Sequence, residues 1–160
     1  MNSNLRAAFS VVALMVVMTC PAQAAEPVCV TANKARLRKG PGEKHPVGWT
    51  VAQNMPLLKV SQKGSWAEVK DLDGQTHWIF SSSISGRASC AVIKSKSAPL
   101  RSGPGASHPY AEMSLADRYT PFKKIGREGA WVLLQDDYRG KFWVYETNLW
   151  IPTNRTSVVF

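Results

Sequence analysis

The chain states the same pattern twice. Residues 35–42 read Ala-Arg-Leu-Arg-Lys-Gly-Pro-Gly and residues 98–105 read Ala-Pro-Leu-Arg-Ser-Gly-Pro-Gly. A His-Pro pair follows each, at His45-Pro46 and His108-Pro109. Gly64-Ser65-Trp66 answers Gly129-Ala130-Trp131, and Trp78-Ile79-Phe80 answers Trp143-Val144-Tyr145. The offset is 63 residues at the first motif and 65 at the last, so the second copy carries a small insertion. Two copies at so long a period indicate two small domains in tandem, not a solenoid.

The first residues have the layout of a secretory signal peptide. Arg6 precedes an apolar run from Ala7 to Met18, and Ala22-Gln23-Ala24 offers small residues for cleavage after Ala24. The apolar run is too short for a stable membrane anchor. The rival reading takes Cys20 as a lipidated N-terminus, but Met18 and Thr19 are poor residues ahead of a lipoprotein cysteine. The chain is therefore expected to be periplasmic or secreted, with no transmembrane segment. Two further cysteines remain, Cys29 and Cys90. In an oxidising compartment an even pair reads as a disulfide, the other reading being two buried free thiols. A staple would help, because each copy is near the size at which a single core is marginal. The formal net charge is +9, and removing the leader, which holds Arg6 as its one charged residue, leaves +8. Inside a cell that balance suggests nucleic acid; export excludes it and turns the same field toward anionic polymers of the envelope.

Long helical periodicity is absent. Apolar segments of strand length, such as Leu57–Val60, Trp66–Lys70 and Trp78–Phe80, are divided by turn formers at Gly40-Pro41-Gly42, Lys63-Gly64-Ser65 and Asp71–Gly74. This pattern predicts an all-β barrel or sandwich, with hairpins at Asp73-Gly74 and at Asp137–Gly140. Ser81–Ile84 suits a single 3₁₀ turn. Trp78 and Phe80 share one face, as do Trp143 and Tyr145, and these aromatics are expected to fill small cores. Trp66 and Val69 lie three apart, so turning both inward needs a bulge or a Trp66 placed ahead of the strand. Ala88–Ile93 reads as a strand closing the first copy, so that a Cys29–Cys90 bond ties that barrel's ends. Arg155–Phe160 reads as its counterpart in the second copy. The organisation expected is a signal peptide over 1–24, a first barrel over 27–93 and a second over 94–160. Only Lys94-Ser95-Lys96-Ser97 joins them, so the angle between them is restricted.

Through Leu37-Arg38-Lys39-Gly40-Pro41-Gly42, Leu100-Arg101-Ser102-Gly103-Pro104-Gly105 and the later Gly-x-Trp and Trp-Ile-Phe or Trp-Val-Tyr steps, each copy resembles the bacterial SH3 (SH3b) family. The resemblance implies two tandem small SH3-like β-barrels that act as targeting modules, often beside cell-wall hydrolases and often on peptidoglycan or its stem peptides. Recognition of Pro-x-x-Pro ligands is not implied, because the loop from Arg38 to Pro46 is basic rather than acidic. Pro99, which removes a ladder donor, and the longer Ala116–Gly126 stretch make unequal binding by the two copies the expectation.

Catalysis finds no foothold in the residues. A Cys–His nucleophile would need one of the two paired cysteines. His45, His77 and His108 are not spaced as zinc ligands, and the first and last are repeats of one another, each a turn residue before Pro. Asp136-Asp137 sits in a turn, where Asp is expected for backbone reasons. The chain reads as a non-enzyme without cofactor or metal, and as a monomer. Lys39, Lys44, Trp49, Arg101 and Tyr110 are the candidate contacts for a cell-wall glycopeptide, combining positive charge with aromatic surface around the Gly-Pro-Gly loops. Tyr119, Phe122 and Trp150 are the candidates for an exposed apolar patch through which the second copy would meet an envelope protein, as an adaptor or regulator of a cell-wall enzyme.

Overall fold

The computed structural model describes residues 24–153. The expected leader ahead of Ala24, Cys20 within it and the expected strand over 155–160 lie outside those residues. Alternation sets the strands. In β2 (Lys34–Arg38) Ala35 and Leu37 are buried and the three cations between them are not; in β5 (Trp66–Lys70) Ala67 and Val69 are buried. The remaining strands of the first unit are β1 (Glu26–Val30), β3 (Val47–Ala52), β4 (Pro56–Lys63), β6 (Thr76–Phe80) and β7 (Ile84–Ser85). The second unit repeats them as β8 (Cys90–Ile93), β9 (Ser97–Arg101), β10 (Tyr110–Asp117), β11 (Pro121–Glu128), β12 (Trp131–Asp136), β13 (Gly140–Tyr145) and β14 (Leu149–Trp150). Each unit is a seven-stranded antiparallel sheet, ordered β3-β2-β6-β5-β4-β1-β7 and β10-β9-β13-β12-β11-β8-β14, one order mapping strand for strand onto the other. The fold is all-β, with two tandem SH3-like units.

Both sheets bend at the same place. The register shifts between Lys59 and Ser61 in β4 and between Lys124 and Gly126 in β11, a bulge that lets one long strand serve both sides of a small core. No bulge is needed in β5, because Trp66 faces outward while Ala67 and Val69 face in. This corrects the expectation that the Trp-rich strands fill the core. Ile79 and Val144 are the buried members of Trp78-Ile79-Phe80 and Trp143-Val144-Tyr145, and the aromatics flanking them lie on the outer face. An interior this narrow is filled by Ala, Val, Leu, Ile and one Met, Met55, in the first unit. In the second, Phe122 and Phe142 meet edge to face at 4.8 Å inside the core.

The strand at Cys90–Ile93 also departs from expectation. It does not close the first unit; it opens the second, pairing with β11 and β14. The division between units therefore falls in the four residues Gly86–Ser89, and Lys94–Lys96 lies inside the second unit. Cys29 and Cys90 are bonded, with their Cα atoms 6.0 Å apart, so the disulfide joins one unit to the other. Around it the units share apolar contact, since Val92 is buried with the first core and Trp150 packs against that core.

A polar latch adds to the junction. The Arg118 guanidinium and the Tyr119 hydroxyl both bond the Asp73 carboxylate across the units, and Arg118 also reaches the Lys94 carbonyl. The Tyr119 ring meets Trp49 edge to face at 5.3 Å. Tyr119 has φ 68° where the first unit has Asn54 at φ 65°. Asn tolerates that left-handed region; a tyrosine there is held by its surroundings, in this case by Trp49 and Asp73. The Tyr119 hydroxyl first, and the Arg118 guanidinium after it, hold the Asp73 carboxyl below its ordinary range against a weaker opposing effect of burial.

Two outcomes follow. Mass spectrometry of the exported protein should find no free thiol, and reduction should cost about 4 kcal/mol in urea unfolding, the loop-closure value for residues 61 apart in sequence; equal stability of the two forms would contradict the bond's role. Because the folded pKa of Asp73 is depressed, the latch's contribution is full above the unfolded value of about 3.9 and is lost as pH falls through the lower folded value. The stability gap between the wild type and Asp73→Asn should therefore narrow on acidification below pH 4, and a pH-independent gap would count against the latch.

Candidate functional site

The repeated Leu-Arg-x-Gly-Pro-Gly…His-Pro segment folds as a loop that locks itself. Arg38 Nη1 donates to the carbonyls of Glu43 (2.9 Å) and His45 (2.7 Å), and Arg101 Nη1 donates to that of His108 (2.7 Å). The amides of Lys39 and Ser102 close each loop on the carbonyls of Pro46 and Pro109, both at 3.0 Å. Each imidazole ring lies flat against a glycine: a Cβ at Gly40 would sit 2.5 Å from His45 Nδ1, and one at Gly103 would sit 2.4 Å from His108 Nδ1. The motif that most marks the sequence is thus a structural device, with Arg as clamp and Gly as the floor for His.

The candidate ligand residues fall into three places. Lys39 and Lys44 are exposed on the first loop. The Arg101 guanidinium lies 4.6 Å over the ring of Tyr110, an exposed pair on the second unit. Trp49 packs against the first core and Tyr119, inside the junction. The three residues offered as an exposed apolar patch are taken up within the molecule. Phe122 is in the second core, while Tyr119 and Trp150 bind the first unit. Tyr119 and Trp150 fasten one unit to the other, and the three leave no free patch.

A groove that the sequence reading passed over lies on the outer face of the first unit. Lys34, Arg36 and Arg38 follow one another on that face of β2, and Trp66 and Phe80 meet edge to face at 5.6 Å beside them. These residues line a hollow of about 530 Å³. The signal was present as Lys-x-Arg-x-Arg, whose alternation with Ala35 and Leu37 puts every cation on one side. In the second unit the edge-to-face pair recurs as Trp131 and Tyr145 at 5.3 Å, but Ser97 and Pro99 stand where Lys34 and Arg36 do, leaving Arg101. Arg127 there is paired with Glu146. The two units thus present unequal charge on equivalent faces.

A second hollow, of about 590 Å³, opens where the units meet, between the turns at Asn33 and Gln53 and the hairpin end at Gln135–Arg139. Asp71 and Asp136 organise the equivalent hairpins. Asp71 Oδ1 accepts from the amides of Asp73 and Gln75, both at 2.9 Å, and its Oδ2 meets His77 Nε2 at 2.8 Å. Asp136 Oδ1 accepts from the amides of Tyr138 (2.9 Å) and Arg139 (3.0 Å). Among the described residues, no group of three His, Cys, Asp or Glu side chains is placed to hold a metal ion, and no helix is long and apolar enough to cross a membrane.

A small bent barrel with a charged, aromatic outer groove defines a binding module. Residues 31–86 match the family model of the bacterial SH3 domain, and the first unit belongs to that family. No curated protein matches the chain. Solved structures similar to it include NlpC1 from Trichomonas vaginalis, at 9% identity and TM-score 0.35 over 89% of this chain and 51% of that one. NlpC2 from Trichomonas vaginalis is similar at 11% identity and TM-score 0.36 over 81% of this chain and 49% of that one. The CBD of endolysin LysPBC5 is similar at 13% identity and TM-score 0.32 over 84% of this chain and 98% of that one. The chain spans about half the length of the two NlpC proteins.

The glycine floors give a direct test. Gly40→Ala and Gly103→Ala should each destabilise by about 1–3 kcal/mol, the cost of overpacking, measured by equilibrium unfolding. Adding His45→Ala to Gly40→Ala should recover part of the loss; a neutral Gly40→Ala would show that the ring does not rest on the glycine.

Proposed function

We propose that the protein is a non-catalytic, exported module that holds to the cell wall by binding the carboxylate-bearing stem peptides of the wall glycopeptide. The observation that carries this reading is the first unit's groove. Lys34 and Arg36 supply charge-assisted hydrogen bonds for carboxylates, Arg38 beside them adds positive charge while its Nη1 holds the loop carbonyls, and the Trp66–Phe80 pair supplies an apolar wall for the chain between them. The net charge of the mature chain draws it toward anionic polymer at long range, while the groove supplies the short-range fit. The Cys29–Cys90 bond fits an oxidising compartment, in keeping with a leader cleaved after Ala24 and a periplasmic or secreted monomer. Lys39 and Lys44 on the first loop, and Arg101 with Tyr110 on the second unit, extend the same basic surface and give the second unit a weaker share. The alternative, an adaptor for an envelope protein working through Tyr119, Phe122 and Trp150, has less support because those side chains are occupied inside the molecule.

Co-sedimentation of the oxidised mature protein with purified sacculi across a salt series tests the proposal. Retention at about 150 mM salt is expected. Arg36→Ala or Trp66→Ala should weaken it about tenfold, the scale of a central Arg or Trp contact, with a smaller loss for Arg101→Ala. Retention confined to low salt would reduce the interaction to net charge. No retention would overturn wall binding in favour of a protein partner.

A further inference from the structure

The cleft between the units differs in chemistry from the groove. In a chain of formal net charge +9, its lining carries the side-chain amides of Asn33, Gln53, Asn54 and Gln135, the carboxylates of Asp136 and Asp137, and one cation, Arg139. Amides and carboxylates set side by side offer paired donors and acceptors, the arrangement that suits vicinal hydroxyl and acetamido groups. Asp136 keeps its Oδ1 for two turn amides and, among the described residues, gives its Oδ2 to no protein donor. Gln135 likewise makes no side-chain hydrogen bond among the described residues, whereas the Gln53 amide is fixed on the Thr31 carbonyl at 3.1 Å. At the rim stands Tyr138, 98% exposed, a ring that the fold does not use. A surface aromatic next to free amide and carboxylate groups is a platform for the face of a sugar ring.

We propose that this cleft is a second binding site, for a neutral oligosaccharide strand. The proposal rests on the wall-binding reading and deepens it: the groove would take the charged peptide of the glycopeptide, and the cleft its uncharged glycan. A peptide strand is the poorer occupant. Its main chain would need an open sheet edge to pair with, and the cleft is walled by turns and strand ends at residues 33, 52–54, 120–121 and 135–139. The site exists only while the units are joined, because Asn33 and Gln53 come from the first and Gln135, Asp136 and Tyr138 from the second. The segment Thr120–Pro121 in its wall directly follows the Arg118–Tyr119 latch on Asp73, so the same contacts that fasten the units set the width of the cleft.

The test is a titration of the oxidised mature protein with a tetramer of β-1,4-linked N-acetylglucosamine, a neutral probe with no peptide, followed by backbone and side-chain amide NMR shifts. Saturable shifts at Asn33, Gln53, Gln135 and Tyr138 are expected. Tyr138→Ala should weaken binding about tenfold, the size of one lost aromatic contact, and Gln135→Ala should weaken it severalfold. Both changes are at solvent-accessible positions, and unchanged amide spectra elsewhere would show that the fold is kept. Absence of shifts at millimolar probe, or binding that ignores both substitutions, would overturn the proposal. So would a stem peptide that moves the cleft signals where the sugar does not. Retention on sacculi with a silent cleft would overturn the glycan site alone, whereas failure of sacculus retention would overturn the wall-binding reading on which it rests.

Discussion

The junction between the two units is what the rest of the structure depends on. Each unit alone is a small sheet around a core of about a dozen side chains, a size at which stability is marginal. Joining them changes that. Val92, while paired within its own sheet, lies among the first unit's core residues, Trp150 packs against the same core, and the Cys29–Cys90 bond fixes the distance between the strands that bear them. Asp73, Arg118, Tyr119 and Trp49 add a second, polar point of attachment. A covalent and apolar attachment together with a polar one constrain rotation more than either alone, so both the outer groove and the cleft lie on a single framework.

The repeat explains the framework and the departures from it explain the surface. Both copies keep the Arg clamp, the Gly floor, the Asp turn and an edge-to-face pair of Trp with a second aromatic. The differences are concentrated on the outer face of β2 and β9 and at the turn before β11. Lys34 and Arg36 give way to Ser97 and Pro99, and Asn54 gives way to Tyr119. The first change removes charge from the second unit's groove. The second gives that unit the residue with which it grips its neighbour. One copy has kept the basic face and the other has acquired the fastening.

Much of the fold was legible in the sequence because it is written in short-range terms. The Gly and Asp turns, the 3₁₀ turn at Ser81–Ser83 and the alternation of β2 and β5 depend on residues near in the chain. What depended on long-range packing was not legible. Ala91-Val92-Ile93 stands in the place of Val28-Cys29-Val30, but Cys90 corresponds to Pro27 rather than to Cys29, so the cysteine pair concealed the register and suggested a strand that closes the first unit. The bright Gly-Pro-Gly motif drew attention to loops whose Arg, Gly and His hold the loops together, while the groove was encoded quietly in Lys-x-Arg-x-Arg. Phe122 and Trp150 could not be placed from local pattern either. An aromatic in a strand reads the same whether it faces its own core, a neighbouring domain or water, and only the barrel's narrow interior decides.

The central claim is that the two units move as one body. Residual dipolar couplings measured on the oxidised protein test it most directly, since each unit supplies enough backbone amides to determine its own alignment. A single alignment tensor that fits both sheets in the arrangement described is the expected result. Two tensors of different magnitude or orientation would mean that the units reorient independently, and the shared core contact, the latch and the cleft would fall together.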